Sequence, residues 1–183
     1  MDTAVYVLLG LAALGVVWAI LTLNGFVRAR NQVEESWSGV EVQLKRRHDL
    51  IPNLVETVKG YAAHESGVLE KVTQARAAAI AASGFEQRGK AEASLTSALG
   101  GIRAVAEQYP QLRASENFQR LQTELAQIED EIQAARRIYN ANVRAFNTRI
   151  QIFPNSLLAG AYQPRRFFEI ENAAERNVPA VAF

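Results

Sequence analysis

Residues 31–79, NQVEESWSGVEVQLKRRHDLIPNLVETVKGYAAHESGVLEKVTQARAAA, carry the heptad pattern that decides the fold of this chain. Counting from Val33 to Ala79 in alternating steps of four and three residues gives fourteen positions. Twelve of them carry an apolar or small side chain. The intervening residues are mostly charged or polar. This spacing is typical of a helix, as in a coiled coil, that buries one stripe. Arg47 and Glu65 interrupt the stripe, and polar residues at such positions often fix helix register or oligomeric state.

The overall composition favours an all-α protein. The chain is 49% hydrophobic and has only five prolines, while good helix formers such as Ala, Leu, Glu, Gln and Arg are abundant. Its formal net charge of +1 lacks the basic surplus that drives phosphate binding, so no nucleic-acid partner is expected. The absence of cysteine excludes disulfides, thiol nucleophiles and Cys-ligated zinc.

Residues 4–23, AVYVLLGLAALGVVWAILTL, contain no charged side chain. A run of this length matches a bilayer core of roughly 30 Å, so it predicts a single transmembrane helix. A cleaved signal peptide is the less favoured alternative, because no cationic region precedes the run. Arg28 and Arg30 follow the span, whereas no Lys or Arg precedes it. The positive-inside rule therefore predicts an extracytoplasmic N-terminus at residues 1–3 and a cytoplasmic remainder at the inner membrane, with both arginines meeting lipid headgroups of the bilayer.

Downstream of the span, residues 24–153 are predicted to form a helical bundle. Their apolar periodicities indicate helices at about residues 26–51, 53–82, 86–108 and 115–152. Pro52 removes one backbone hydrogen bond, so either a kink or a true break of the helix is expected there. Three to four long helices that each carry one apolar stripe pack most economically as an antiparallel up-and-down bundle.

Residues 154–183 form an irregular apolar tail, because they lack a sustained helical period but keep several large apolar side chains. Two interpretations stay open. The tail packs on the end of its own bundle, or it docks on a partner or a second copy of the chain. The candidate interaction residues of the tail are Arg165, Arg166, Phe167 and Phe168.

Amide side chains accompany the apolar face of the last predicted helix. Asn142 lies on that face, and Asn140 and Asn147 lie beside it. Because amides close to a core need hydrogen-bond partners, we expect them to bond across the bundle to residues 37–53.

A second candidate interaction surface surrounds the proline, in the segment RRHDLIPN at residues 46–53. It comprises Arg46, Arg47, His48 and Asp49. His48 and Asp49 do not form a catalytic dyad within one helix, because consecutive residues point about 100° apart.

Other chemistry finds no support in the motifs. His64 and Glu65 resemble the start of a HExxH zinc motif, but Val68 stands where the second His belongs. No glycine-rich phosphate loop is present either. We therefore predict no catalytic residue, no cofactor and no metal.

Three strings of this sequence resemble the LemA family of bacterial membrane-anchored proteins. They are WSGVEVQLKRRHDLIPNLVETVKGYAAHE at residues 37–65, YNANVRAFNTRIQIFPNSLLAG at residues 139–160, and FFEI at residues 167–170. The resemblance implies a short N-terminus outside the cell membrane, one span and a helical bundle inside. The family has no established reaction, so the resemblance supplies no catalytic residue.

Together these observations favour a non-enzymatic, single-pass membrane-anchored scaffold or interaction protein. It would assemble as a homo-oligomer, present its bundle to another membrane protein, or do both. One alternative is an accessory subunit or a cryptic hydrolase that uses the region of His48 and Asp49. The other alternative is a membrane-remodelling polymer.

Overall fold

The structure, a computed structural model, describes residues 3–170. Within them the all-α class is confirmed, because the described chain contains helices and turns and no strand. The predicted extracytoplasmic residues 1–2 and the tail beyond residue 170, including Phe183, lie outside the described residues. The elements in order are α1 (Thr3–Tyr61), α2 (Ser66–Ala81), α3 (Phe85–Gln108), α4 (Pro110–Ala114), α5 (Glu116–Gln151) and a 3-10 turn (Asn155–Leu158).

Helix α1 continues through Pro52, where the sequence left a kink or a break open. Proline has no N–H to donate to the carbonyl four residues earlier, which belongs to His48. That carbonyl instead accepts a hydrogen bond of 2.7 Å from Arg76 Nε on α2. Ile51 and Leu54, on either side of the proline, are buried in the core. The boundary expected between residues 51 and 53 is therefore found at residues 62–65, between α1 and α2.

Residues 40–136 and 168–170 form one compact unit, called the four-helix unit here. It contains the second half of α1, then α2, α3, α4 and the first part of α5. Contacts between Arg46 and Glu131, and between Thr57 and Asn117, show that α1 and α5 run antiparallel. The core side chains that hold this unit together include Ile51, Leu54, Val58, Val72, Leu95, Ile102, Leu112, Phe118 and Leu121.

Residues 3–39 and 137–167 form the other compact unit, called the hairpin unit here. The first half of α1 and the end of α5 run antiparallel in it. The rings of Trp37 and Tyr139 lie 5.3 Å apart between centroids, and Arg149 Nη1 donates to the carbonyl of Gly25 at 2.9 Å. Tyr162 then returns against Phe26, with ring centroids 5.0 Å apart. Tyr162 of the tail thus packs on its own chain.

Asn147 holds the returning tail in place. Its side-chain amide donates to the carbonyl of Arg165 at 2.8 Å, and its Oδ1 accepts from the Arg165 N–H at 2.7 Å. Asn142 Nδ2 donates to the carbonyl of Gln32 at 3.4 Å. The expectation that these amides bond to residues 37–53 is therefore wrong for Asn147 and Asn142. For Asn147 the expectation failed because the tail offers backbone groups outside the helices, whereas Asn142 bonds a carbonyl of α1 that lies five residues before the expected range.

The N-terminal part of α1 is the one candidate membrane span within residues 3–170. Its large apolar side chains are exposed, and none of its most apolar window is buried against protein. A helix with apolar side chains on all its faces is stable in lipid rather than in water.

Candidate functional site

The four residues of the cluster around Pro52 separate onto two faces of α1. Arg47 and His48 point inward and are only 2% and 9% exposed, whereas Arg46 and Asp49 are exposed. This follows from helix geometry, because Arg47 lies on the apolar stripe of α1 and His48 borders it, whereas the rotation of about 100° per residue turns Arg46 and Asp49 away from it. Arg46 and Asp49 therefore belong to the surface of α1, and Arg47 and His48 belong to a buried polar site.

Glu92 of α3 is the carboxylate that faces the two buried residues. It is completely buried, and its Oε1 lies 2.8 Å from His48 Nε2. Its Oε2 lies 3.6 Å from Arg47 Nη1, an ion pair beyond hydrogen-bond distance. Burying a carboxylate without partners is costly, so Arg47 and His48 together make this position tolerable.

Arg47 joins three helices through its guanidinium group. Its Nη2 donates to Thr96 Oγ1 on α3 at 2.7 Å, and its Nη1 lies 3.4 Å from Glu129 Oε2 on α5. Thr96 in turn donates to the carbonyl of Glu92 at 3.0 Å. We call Arg47, His48, Glu92, Thr96 and Glu129 the buried polar cluster. It ties α1, α3 and α5 in one relative register, which an apolar core alone specifies less strictly.

Two cavities flank the buried polar cluster. One, of about 320 Å³, is lined by Arg47, Thr96 and Glu129 among others. The other, of about 380 Å³, is lined by His48 and Glu92 among others. No serine, threonine or cysteine lines the second cavity, so it offers no hydroxyl or thiol nucleophile for a hydrolysis. Among residues 3–170 no group of three or more His, Asp or Glu side chains could hold a metal ion.

Asp49 takes no part in the buried polar cluster. Its carboxylate pairs with Lys45 one turn earlier on the exposed face of α1. This hydrogen bond lowers the pKa of Asp49 below its usual value. His48 thus has a carboxylate partner, but that partner is Glu92 and not the neighbouring Asp49.

The four tail residues also divide between surface and core. In the four-helix unit Phe168 is fully buried, and its ring lies 6.2 Å from that of Phe85. In the hairpin unit Phe167 is 42% exposed, and Arg165 Nη2 pairs with Glu34 at 3.1 Å. Arg166 is exposed, and its carbonyl accepts a hydrogen bond from Tyr139. A partner could therefore reach Arg165, Arg166 and Phe167, whereas Phe168 serves the chain's own core.

The two arginines after the apolar segment remain accessible in the hairpin unit. Arg28 and Arg30 are both exposed, and Arg30 Nε lies 3.6 Å from Glu34 one turn later. An exposed pair of this kind contributes little to stability, and contact of Arg28 and Arg30 with lipid headgroups stays a prediction.

Sequence reasoning missed Glu92, Thr96 and Glu129. One signal could have found Glu92, because it lies three residues before Leu95 and therefore on the apolar stripe of α3. A charged residue on one stripe and Arg47 on another stripe predict a buried pair between two helices. Thr96 and Glu129 carry no such signal, because both sit beside their stripes.

Tyr139 provides a test of the tail contact in the hairpin unit. Burial raises the pKa of its phenol above the usual 10.0, and its hydroxyl donates to the carbonyl of Arg166 at 2.9 Å. The stability contributed by the neutral phenol is therefore complete below pH 10 and is lost as the pH rises further. We expect Tyr139→Phe to cost about 1 kcal/mol at neutral pH and to weaken this alkaline loss. Urea unfolding between about pH 8 and pH 11 measures both, with Tyr61→Phe, at an exposed position, as control. An unchanged alkaline loss in Tyr139→Phe would contradict this assignment.

Comparisons with known proteins agree with the resemblance seen in the sequence. The model of the LemA family matches residues 36–183. Protein LemA of Metamycoplasma hominis is 30% identical over 140 residues, which cover 74% of this chain and 63% of that protein. Magnetosome protein MamQ 2 of Paramagnetospirillum magneticum is 29% identical over 185 residues, which cover 85% of this chain and 68% of that protein. Magnetosome protein MamQ of Magnetospirillum gryphiswaldense is 27% identical with the same coverage.

None of these names states a reaction, and the family and its relatives suggest a membrane-associated protein. The exposed apolar segment of α1 agrees with association with a membrane. The family model covers more than half of the residues and includes both the heptad stretch and the tail. The chain therefore belongs to the LemA family.

Proposed function

We propose that this protein is a single-pass membrane-anchored scaffold, which self-assembles and presents its helical bundle to another membrane protein. Its partners are the lipid bilayer, copies of itself and that second membrane protein. No cofactor or chemical step is part of this function. The accessible tail residues Arg165, Arg166 and Phe167 provide one contact surface in the hairpin unit, and Arg46 on the exposed face of α1 provides a separate one in the four-helix unit.

The observation that carries the proposal is the continuity of α1. This helix of 59 residues contains the apolar segment at its start and ends in the core of the four-helix unit. No loop separates the segment proposed as the anchor from the helix that carries the bundle. An enzyme that acts on soluble substrates gains nothing from such continuity, whereas a scaffold at a membrane surface does.

The proposed orientation has the N-terminus outside the inner membrane and the bundle in the cytoplasm. Because the chain contains no cysteine, single cysteines can be introduced without background. We expect Thr3→Cys to react with a membrane-impermeant maleimide in intact spheroplasts. Lys71→Cys, on the exposed face of α2, is expected to react only after permeabilisation. The opposite pattern would invert the orientation, and reaction of both in intact spheroplasts would contradict a cytoplasmic bundle.

Self-assembly is tested by native mass spectrometry of the full-length protein in lipid nanodiscs. We expect a discrete mass that is a multiple of the 20.2 kDa chain. The double variant Arg166→Glu/Phe167→Ser alters only exposed side chains and is expected to shift the mass towards the monomer. Arg144→Glu makes a similar charge reversal at an exposed position of α5 and is expected to leave the mass unchanged.

A monomeric mass for the unaltered protein would contradict self-assembly, and only the presentation of the bundle to another protein would remain. An assembly without a fixed upper mass would instead favour the membrane-remodelling polymer, because an interface that does not close generates open filaments. Loss of assembly in Arg144→Glu as well would contradict an interface confined to the tail, because it would include α5.

A further inference from the structure

The turn that follows α5 exposes three large apolar side chains in the hairpin unit. Phe153 is 79% exposed, Leu157 is 70% exposed and Ile152 is 49% exposed. They lie within six residues of each other, at the end of α5 and in the 3-10 turn. Exposing apolar side chains to water costs free energy in proportion to the exposed area. Three large exposed side chains close together therefore need an explanation.

The register of the two helices shows where this turn lies relative to the apolar segment. Along the hairpin unit, Trp37 faces Tyr139, Gln32 faces Asn142, and Gly25 faces Arg149. From one pair to the next, the residue number falls on α1 and rises on α5, so the two helices are antiparallel. Extending this antiparallel register by three residues brings Ile152 to the level of Thr22, at the end of the uncharged run of residues 4–23. The exposed turn therefore lies at the level where the anchor would enter the bilayer.

We propose that Ile152, Phe153 and Leu157 insert into the interface of the same membrane that α1 crosses, as a second and shallow membrane contact. This inference rests on the proposed membrane anchor and adds a site to it. The occupant of the exposed surface is the lipid bilayer, because the helix register places this surface at the level where the apolar segment of α1 ends. A chain held by a span and by a turn contacts the bilayer at two points instead of one.

The backbone of the turn suits a shallow position in lipid. The N–H of Ser156 donates to the carbonyl of Ile152 at 2.9 Å, and the N–H of Leu157 donates to that of Pro154 at 3.1 Å. Backbone N–H groups that are already hydrogen-bonded within the turn do not need water as an acceptor. This lowers the free-energy cost of moving the turn into the membrane interface. Arg28 and Arg149 lie a few residues from this level, both towards the bundle, and can meet lipid phosphates, as basic side chains near a membrane surface do.

Site-directed spin labelling of the full-length protein tests the proposal. Phe153→Cys and Leu157→Cys each give one reactive thiol, because the chain has no other cysteine. After reconstitution into phosphatidylcholine and phosphatidylglycerol vesicles, power saturation compares collisions with oxygen, which dissolves in lipid, and with a water-soluble nickel complex. We expect both labels to show a severalfold higher oxygen-to-nickel ratio in vesicles than Ile138→Cys. Ile138 is 59% exposed on α5, about 20 Å from Phe153 along the helix axis.

A label at Leu14→Cys separates failure of the inference from failure of the anchor. Leu14 lies inside the apolar segment and is expected to be the most accessible to oxygen of all four positions. If Leu14 lies in lipid but the labels at residues 153 and 157 match Ile138, the anchor stands and the second contact is overturned. Labels at residues 153 and 157 that are shielded from both reagents would also overturn it, because they would indicate a protein contact. A water-exposed Leu14 would overturn both the anchor and the inference.

Discussion

Replacing Glu92 by alanine is expected to lower the free energy of unfolding by about 3 kcal/mol, because it leaves a buried charge without its partner. Arg47 is 2% exposed and, among residues 3–170, would keep Glu129 as its one ionic partner, at 3.4 Å. His48 would lose the carboxylate that lies 2.8 Å from its Nε2. Removing one member of a buried pair costs more than the pair itself contributes, because desolvation of the remaining charge is no longer offset.

The measurement is urea unfolding of the full-length protein in detergent, followed by circular dichroism. Glu92→Gln keeps the shape and a hydrogen-bond acceptor for His48 but removes the charge, so its loss should be smaller than that of Glu92→Ala. Glu86→Ala is the matched control on α3, because Glu86 forms an exposed pair with Lys90. An exposed pair of this kind is expected to change stability by no more than about 0.5 kcal/mol.

A double-mutant cycle isolates the contribution of the pair. Arg47→Met removes the guanidinium and keeps much of its apolar volume. If Arg47 and Glu92 interact as described, the double variant Arg47→Met/Glu92→Ala should lose about 2 kcal/mol less than the two single losses added together. Strict additivity would show that the two charges do not stabilise each other. A loss below about 1 kcal/mol for Glu92→Ala would show that water reaches this carboxylate.

The apolar stripe of α1 could be predicted from the sequence as far as the helix itself extends. Val33, Val40, Leu44, Ile51 and Val58 were all assigned to the stripe and are all buried. Although Val72 and Ala79 on α2 are buried again, the heptad count fails directly after Val58, at the end of α1 and in the turn that follows, because a helical period has no meaning across a turn. The next two stripe positions show this. Tyr61 is 46% exposed, and Glu65 precedes α2, where it accepts a hydrogen bond from the Tyr109 hydroxyl.

The turn between α1 and α2 could not be located from the sequence, because the strongest helix-breaking signal in this region, a proline, lies about ten residues before the turn. Pro52 is the residue most likely to end a helix by its own chemistry. The structure offsets its effect through a distant residue, because Arg76 of α2 supplies the donor that the proline lacks. A local rule cannot include a partner 28 residues away from His48. The helix instead ends after Tyr61, at a stretch without proline.

For the same reason, the sequence predicted a buried polar position at Arg47 but did not predict its partners. Arg47 on the stripe of α1 indicated a polar position in the interior, but its partners lie on helices whose rotation the sequence does not specify. The tail was predicted to be irregular and apolar, yet whether it packs on its own chain depends on backbone contacts. Those contacts are made by Asn147 in the hairpin unit and by Gly89 in the four-helix unit.

Gly89→Ala is expected to displace the tail from α3 and to cost about 2 kcal/mol of unfolding free energy. A Cβ at this position would overlap the carbonyl oxygen of Glu169, which belongs to the backbone and cannot rotate away. The neighbouring Phe168 and Ile170 are 0% and 7% exposed, so moving Glu169 also exposes large apolar side chains. Glycine here permits close approach of two backbones rather than an unusual dihedral angle.

Gly100→Ala is the matched control, because it makes the same substitution on the same helix. A Cβ at Gly100 meets nothing within 4 Å, so this variant should gain up to about 1 kcal/mol from the better helix propensity of alanine. The two substitutions are therefore expected to shift the urea midpoint in opposite directions. Limited proteolysis adds a second measure, since cleavage after Arg165 or Arg166 should accelerate in Gly89→Ala alone. Equal stabilisation by both variants would mean that the tail leaves α3 at no cost, and that burial of Phe168 does not hold it there.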